Sequence, residues 1–428
     1  MAAGLPVGGR GWWIVAALAV TQTVGYGVLY YAFAVLLQPM ATSLHASTTA
    51  VTGALTASVL AGAVMAVPVG RWLDRHGGRA LMTTGSVAAT VLVAAWSQVH
   101  TVAQLYAVLI GIGVCAAMVL YEPALAIVVS WFDPRRRANA VLAVIVVAGF
   151  ASTIFMPLTG LLADRYGWRT ALLLLALLHG AVTIPLHALA VRKPPRPASQ
   201  GRQPSRHDRA TVVRAAVRDR RFWWLAVAFV AHGAATSAMT VHLVGFLVHQ
   251  GHPATFAATI AGLLGVLSVT GRLLLTGAQR LLRLPVVVAV VFTIQAAAAL
   301  SLPIVGASRI GAALAVVGFG IGFGAASLVK PALLADRYGT TAYATIAGIL
   351  TTPITLAKAV APLAAAGLLT AGYPTMLAAI GAACLIAAVG IVARAASPTP
   401  VPADQLTGAA VLASSSATGT DSPYISKP

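Results

Sequence analysis

The sequence predicts an all-α membrane protein in which twelve transmembrane helices form two six-helix bundles. Three observations carry this prediction. The 428 residues are 59% hydrophobic and only 9% charged, apolar runs of membrane length recur along the chain, and one basic segment divides them into two sets of six. Soluble domains carry about 25% charged residues. A chain with so few charges is therefore expected to present most of its surface to lipid.

Each membrane crossing needs about 20 apolar residues. The first run begins after Arg10 and continues to about Met40, which is too long for the apolar stretch of a signal peptide, so we expect an uncleaved first span. Glycine and proline are tolerated inside membrane helices. The predicted spans lie near 12–40, 50–70, 80–98, 102–131, 138–163, 168–191, 222–249, 254–279, 284–306, 308–332, 342–370 and 373–394.

The domain organisation follows from the one long break between these runs. We predict an N-terminal six-helix bundle at 1–191, a basic cytoplasmic linker at 192–221 and a C-terminal six-helix bundle at 222–395. Within the linker, the sequence allows either a short basic helix at 209–221 on the anionic inner leaflet or a flexible segment. The residues 396–428, rich in Ser, Thr, Pro, Ala and Gly, predict a disordered cytoplasmic tail.

The basic residues predict the orientation. With both termini in the cytoplasm, 23 of the 28 Lys and Arg residues fall on the inner side and three on the outer side. This split follows the positive-inside rule. The formal net charge of +19 therefore reflects topology in the plasma membrane, and no nucleic-acid partner is expected.

Several chemistries are not expected. Cys115 and Cys384 lie in apolar runs without a disulfide framework. The sequence has no phosphate-binding loop of the GxxxxGK[ST] type, no HExxH and no CxxC. We therefore predict neither an enzyme nor a cofactor.

A ten-residue pattern occurs twice. The skeleton G-x-x-x-D-R-x-G-x-R spans 70–79 after the second predicted span and recurs at 160–169 after the fifth. The copies are three spans apart, an odd number, so they face opposite sides of the membrane. An inverted three-helix repeat predicts this relation.

Three charged residues lie well inside predicted spans, away from the span ends, namely Glu122, Arg272 and Lys358. Each costs about 3 kcal/mol at a helix centre, and such residues are commonly functional. Two cations and one anion leave excess positive charge, which an anionic substrate would neutralise. The alternative is a structural bridge between Glu122 and one cation. Lys330, near the inner end of the tenth span, is expected to snorkel to the interface.

Two helical faces carry polar groups. Gln22, Tyr26 and Tyr30 are four residues apart and share one face of the first span. His232 lies in the seventh span, and imidazole titrates near neutral pH. Both faces are compatible with a polar transport path or with ordinary packing.

The 70–79 segment resembles the loop between the second and third helices of the major facilitator superfamily. This resemblance implies two six-helix bundles that work by alternating access, commonly as a monomer. It also implies that the loop latches the halves together and does not bind substrate. The segment after the eighth span, 277–283, lacks the Asp of the pattern, so we do not expect a symmetric latch. The implied gating residues are Gly70, Asp74, Arg75, Gly77 and Arg79.

The charged residues of the C-terminal half are similar to those of the monocarboxylate and oxalate/formate branch, which has an Arg in helix eight and can have a Lys in helix eleven. The resemblance implies that Arg272 and Lys358 bind a carboxylate. The polar faces of the first and seventh spans add Tyr26, Tyr30, Gln22 and His232 as candidate substrate ligands. Ser268 stands where some proton-coupled members have an Asp, so we assign proton coupling to Glu122.

The expected function is secondary active transport of a small organic mono- or dicarboxylate by proton symport or exchange. The alternative is a proton-coupled exporter of drugs or natural products. The expected partners are the substrate anion, protons and the lipid bilayer.

Overall fold

The computed structural model describes residues 7–192, 206–279 and 281–396, and over these ranges it contains helices and no strands. The predicted tail from residue 397 onward, the first six residues and linker residues 193–205 lie outside the described residues.

The N-terminal half contains eight helices, several of which continue one another across a short break. A π-helical turn at Gly27–Tyr31 joins the first two into one membrane-length segment. The helices are α1 (Val7–Tyr26), α2 (Ala32–Ser43), α3 (Thr48–His76), α4 (Gly78–Trp96), α5 (Val102–Val119), α6 (Tyr121–Trp131), α7 (Pro134–Ala148) and α8 (Ala151–Ala190).

A short helix in the linker precedes the seven helices of the C-terminal half. The linker helix is α9 (Arg206–Arg218), and the others are α10 (Arg220–His249), α11 (Ala254–Ala278), α12 (Leu284–Val305), α13 (Arg309–Ile321), α14 (Ala325–Tyr338), α15 (Tyr343–Leu368) and α16 (Tyr373–Ala396).

Eleven segments of the described chain are long and apolar enough to cross a membrane. The longest, Arg135–Ala190, has 56 residues and would extend about 84 Å if it were straight, far beyond the ~30 Å hydrocarbon core. Gly167 interrupts it with φ 76° and ψ 156°, a conformation that glycine adopts at little cost. We therefore interpret this segment as two crossings, which correspond to the fifth and sixth predicted spans.

Three hydrophobic cores organise the helices. One lies wholly in the N-terminal half and a second wholly in the C-terminal half. The third is shared, because Val69 and Leu73 of α3 belong to the same cluster as Ile346 and Leu350 of α15. The shared core lies at the end of the molecule where α1 begins and α16 ends, called here the basic end. The two halves are therefore joined at the basic end and have separate cores towards the opposite end.

The linker forms a helix, α9, which is one of the two alternatives that the sequence left open. Its apolar residues Val212, Val213 and Ala216 pack against the shared core. The helix contacts α10 and α15. Its apolar face therefore covers the protein at the basic end and does not lie in the lipid.

Candidate substrate cavity and gate

A cavity of about 340 Å³ lies between the halves. The predicted residues Tyr26, Tyr30, Glu122, His232 and Lys358 all line it. The first three come from the N-terminal half and the last two from α10 and α15, so the structure brings together side chains that lie far apart in the chain.

Glu122 and Lys330 form an ion pair across this cavity. Lys330 Nζ donates to Glu122 Oε1 at 2.6 Å and to Thr351 Oγ1 at 2.8 Å. The Lys330 side chain is 14% exposed and that of Glu122 is 30% exposed. Since Glu122 lies on α6 and Lys330 on α14, the pair links the two halves. This arrangement is the structural bridge that sequence reasoning kept as an alternative, although with a different cation.

The expectation that Lys330 snorkels to the interface is wrong. Two helices, α13 and α14, share the tenth segment, and the chain between them turns at Gly322 to Gly324. Lys330 consequently lies in the second turn of α14 and reaches the cavity. The glycine-rich sequence GFGIGFG at 318–324 is the signal that could have revealed the break.

Lys358 has a different environment from Lys330. It is exposed and lines the cavity. A Cβ at Gly233 would lie 3.2 Å from Lys358 Cε, so the glycine leaves room for the lysine stem. Among the described cavity residues, Lys358 is the cation that has no carboxylate partner.

Arg272 lies beside the cavity and is not part of its lining. Its Nε donates to the Gly324 carbonyl at 3.3 Å and to Ser327 Oγ at 3.1 Å, and Ser327 does line the cavity. Gly324 is the N-cap of α14, which begins directly after the break in the tenth segment. Arg272 on α11 therefore holds the start of α14 at that break.

Two further side chains bind the same break. Gln295 Nε2 donates to the Phe319 carbonyl at 2.8 Å. His232 Nε2 lies 3.1 Å from Gln295 Oε1 and 3.3 Å from the Gly322 carbonyl. Both neighbours are acceptors, so Nε2 carries the proton of the neutral ring. His232 therefore contacts the cavity and the helix break together.

Gln22 lies outside the cavity lining. It is fully buried, and its Nε2 donates to the Val119 carbonyl at 2.8 Å. Val119 is the last residue of α5, where the chain breaks before α6. Gln22 thus satisfies a helix-terminal carbonyl, while Tyr26 and Tyr30 on the same face reach the cavity.

Asp74 closes the basic end. Its carboxylate accepts hydrogen bonds from Ala344 N at 3.0 Å, Thr345 N at 2.8 Å and Thr345 Oγ1 at 2.6 Å. These groups form the first turn of α15, whose unpaired N–H groups and dipole favour a negative charge. Asp74 on α3 therefore caps a helix of the other half.

The glycines of the same loop allow this contact. A Cβ at Gly70 would overlap the backbone of Ala344 and Thr345, so only glycine lets α3 and α15 approach this closely. Gly77 ends α3 with φ 83° and allows the turn into α4.

The arginines of the loop act differently from Asp74. Arg75 is exposed. Arg79 Nε donates to the Ala188 carbonyl at the end of α8 at 2.7 Å, within the N-terminal half. Its counterpart in the second copy of the pattern, Arg169, donates to the Ser97 carbonyl just beyond α4 at 2.7 Å. Arg79 on α4 thus binds the C-terminal end of α8, and Arg169 on α8 binds the C-terminal end of α4. An inverted repeat predicts this reciprocal relation.

In the described residues, the cap that Asp74 forms on α15 is not repeated symmetrically at α7. At the N-terminus of α7, the cap is Asp133 of the same segment, which accepts from Arg135 N at 3.0 Å and Arg136 N at 3.1 Å. Asp74, in contrast, caps α15 from the other half. The missing Asp after the eighth predicted span is consistent with this difference.

Asp219 joins three helices at the basic end. Burial raises the pKa of Asp219, but hydrogen bonds from Arg221 N, Arg337 and Tyr338 outweigh it, so the pKa lies below its ordinary value. Arg337 Nε and Tyr338 OH each donate to Oδ2 at 3.1 Å. The carboxylate therefore ties the start of α10 and the end of α9 to the end of α14.

A sequence profile of the Major Facilitator Superfamily matches residues 18–362. The chain belongs to the Major Facilitator Superfamily. Members are transporters, so the prediction of a non-enzymatic membrane transporter of this family is confirmed.

Curated relatives match over about half of their own length or less. "Uncharacterized MFS-type transporter YcxA" of Bacillus subtilis is 26% identical over 216 residues, which are 49% of each chain. "Monocarboxylate transporter 11" of Mus musculus is 32% identical over 43% of this chain and 40% of that protein. "Monocarboxylate transporter 4" of Mus musculus is 28% identical over 47% and 43%. The resemblance to the monocarboxylate branch is therefore supported.

Solved structures of other transporters share the fold. A variant of the E. coli fucose:proton symporter FucP aligns with a TM-score of 0.72 at 15% identity, over 90% of this chain and 98% of that chain. The human organic anion transporter MFSD10 aligns with a TM-score of 0.68 at 18% identity, over 89% and 99%. At these identities the likeness supports the fold alone.

Proposed function

We propose that the chain carries a small organic anion across the plasma membrane as a monomeric secondary active transporter working by alternating access. The observation that carries the proposal is the charge of the cavity. Glu122 neutralises Lys330, while Lys358 remains exposed without a carboxylate partner. A cavity with one uncompensated ammonium attracts an anion and repels cations.

A monocarboxylate suits this cavity better than a dicarboxylate. One ammonium matches one carboxylate, and the rest of the wall is mostly apolar or aromatic, including Leu29, Leu55, Val59 and Phe229. Apolar lining with a few convergent polar groups is typical of small-molecule sites. The relatives named as monocarboxylate transporters agree with this substrate class.

Glu122 is the proposed proton site. A proton on its carboxylate would remove the charge that holds Lys330. The freed ammonium of Lys330 would then be available to the second carboxylate oxygen of the substrate. Binding of the proton and binding of the anion would therefore favour each other, as linkage requires. The structural neighbour FucP is a fucose:proton symporter, which supports the proposal that a transporter of this fold can be proton-coupled.

The structure supports one end state of the cycle. The basic end is closed by the shared core and by Asp74 on α15. We assign the basic end to the cytoplasm on the positive-inside rule, so the state is the one closed to the cytoplasm. Substrate would reach Lys358 from outside and leave after α3 separates from α15.

The alternative, a drug or natural-product exporter, is supported by the aromatic side chains of Tyr26, Tyr30 and Tyr121 in the cavity wall. The charge argues against cationic compounds, because Glu122 is occupied by Lys330. Efflux of an apolar compound that does not depend on Lys358 would favour this alternative.

The test is uptake of labelled lactate, formate, benzoate and oxalate into proteoliposomes, with and without an inward proton gradient. We expect saturable monocarboxylate uptake by the wild type. Lys358→Gln should lower this uptake at least ~tenfold, because losing one charge-assisted hydrogen bond weakens binding by about that factor. Lys358→Arg keeps the charge and is expected to retain part of the uptake. Glu122→Gln is expected to remove the gradient dependence. Undiminished uptake by folded Lys358→Gln would contradict the proposal.

A further inference from the structure

Tryptophans mark where the membrane interface meets the basic end. Six of the eight lie at helix ends there, and four of them are 42–52% exposed. Tryptophan concentrates at the level of the lipid headgroups. The exposed four are Trp12, Trp13, Trp72 and Trp223.

The linker helix α9 is fixed at this level. Trp223 Nε1, from the first turn of α10, donates to the Val217 carbonyl in the last turn of α9 at 2.7 Å. Since Trp223 is 52% exposed at the interface, the C-terminal end of α9 lies at headgroup height.

The two faces of α9 have different surroundings. The face with Val212, Val213 and Ala216 packs on the shared core. The opposite face carries Arg214 and Arg218, four residues apart and both exposed. The apolar face is already occupied by protein, so α9 can meet a membrane only through charge.

The nearby acid does not neutralise these arginines. Asp219 follows Arg218 directly, but its carboxylate accepts from Arg221 N, Arg337 and Tyr338. Arg214 and Arg218 are therefore available to phosphate groups at the level where headgroups lie.

We propose that Arg214 and Arg218 bind the headgroups of anionic phospholipids, which makes the linker helix an electrostatic contact between the transporter and the membrane surface. Each basic residue near an anionic surface strengthens binding about fivefold. The contact would act on the gate, because α9 also packs against α15. This inference does not depend on the identity of the substrate.

The experiment places a nitroxide on Ala215→Cys, an exposed position of α9. The native Cys115 and Cys384 are buried, which directs labelling to the new thiol. The full chain is reconstituted in phosphatidylcholine vesicles with or without phosphatidylglycerol. Collision rates with oxygen, which enters lipid, and with a nickel chelate, which stays in water, report the depth of the label.

We expect phosphatidylglycerol to raise the oxygen-to-nickel ratio and Arg214→Gln with Arg218→Gln to abolish that rise. Arg165→Gln, an exposed charge on the opposite side of the predicted topology, is the control and should retain it. Equal ratios in both lipids, or a rise that survives the double substitution, would overturn the proposal. So would the same rise on adding inorganic phosphate to phosphatidylcholine vesicles at constant ionic strength, which would indicate a site for free anions.

Discussion

At the scale of single residues, the ion pair between Glu122 and Lys330 sets the charge of the cavity. Its two side chains are only partly exposed, at 30% and 14%. Removing one partner of such a pair leaves an uncompensated charge, whereas removing both does not. The pair also joins α6 to α14 and so contributes to closing the halves together.

We predict that Glu122→Gln and Lys330→Gln each lower the free energy of unfolding by about 2 kcal/mol, less than for a fully buried pair because the cavity admits water. The double substitution should recover part of that loss. Thermal unfolding in detergent measures all four proteins of this cycle. If the loss of stability in the double variant equals the sum of the two single losses, the energetic coupling of Glu122 and Lys330 is contradicted, because only independent sites have additive effects.

Asp219 predicts a dependence of stability on pH. Its pKa is lowered in the folded protein by the hydrogen bonds from Arg221, Arg337 and Tyr338, which outweigh the effect of burial. A lowered pKa means that the stabilisation is fully present above the unfolded value of about 3.9 and is lost as the pH falls through the folded value.

Asp219→Asn should therefore lower the free energy of unfolding at pH 7 by about 1–2 kcal/mol, and with it the melting temperature. Below about pH 4, the melting temperature of this variant should fall less steeply with acid than that of the wild type. Melting temperatures across this range test it. The exposed Asp164→Asn should behave as wild type. A variant that loses stability with acid as steeply as wild type would exclude Asp219 as the source.

At the scale of elements, close contact between α3 and α15 depends on glycine. A Cβ at Gly70 would overlap the backbone of Ala344, and one at Gly348 would overlap that of Ala66. Between these two contacts and the cavity, Thr352 Oγ1 donates to the Ala63 carbonyl at 2.9 Å. The helices therefore touch backbone to backbone along the basic half of the membrane, as small residues allow.

We predict that Gly70→Ala opens the basic end. Overpacking costs about 1–3 kcal/mol, which would shift the balance between closed and open states about 5- to 150-fold. The measurement is thiol labelling of Thr352→Cys, which should become faster, together with slower uptake. Gly367→Ala on α15 is the control, because a Cβ there meets open space. Unchanged labelling in Gly70→Ala would contradict the prediction.

The elements also show what sequence reasoning could reach. Apolar runs and the repeated pattern predicted the fold class, because lipid imposes strong constraints on length and charge. The position of Lys330 was mispredicted, because a break in a membrane helix depends on side chains elsewhere that donate to its freed carbonyls. Gln295 and His232 supply such bonds, to the Phe319 and Gly322 carbonyls, from distant segments.

The candidate site was only partly predictable for the same reason. Tyr26, Tyr30, Glu122, His232 and Lys358 do share one cavity. A spacing of four residues indicated a common face, but it could not say which member faces a neighbouring helix, as Gln22 does.

At the scale of the whole molecule, the hydrophobic cores are distributed as the proposed alternating-access cycle requires of one of its two end states. The shared core joins the halves at the basic end, while each half keeps its own core towards the opposite end. Rocking about the cavity would exchange the joined and separated ends while leaving the two separate cores intact. On the proposed mechanism, the shared core opens once in every transport cycle.

A cross-link through that shared region should therefore stop transport. We predict that Ala63→Cys with Thr352→Cys, joined by a short bifunctional thiol reagent, loses nearly all uptake and that reductive cleavage of the linker restores it. The two positions are adjacent across the halves, and the native cysteines are buried. Each single variant treated with the same reagent should transport as before. Uptake that continues in fully cross-linked protein would mean that α3 and α15 never separate, and the closed basic end would then not be a gate.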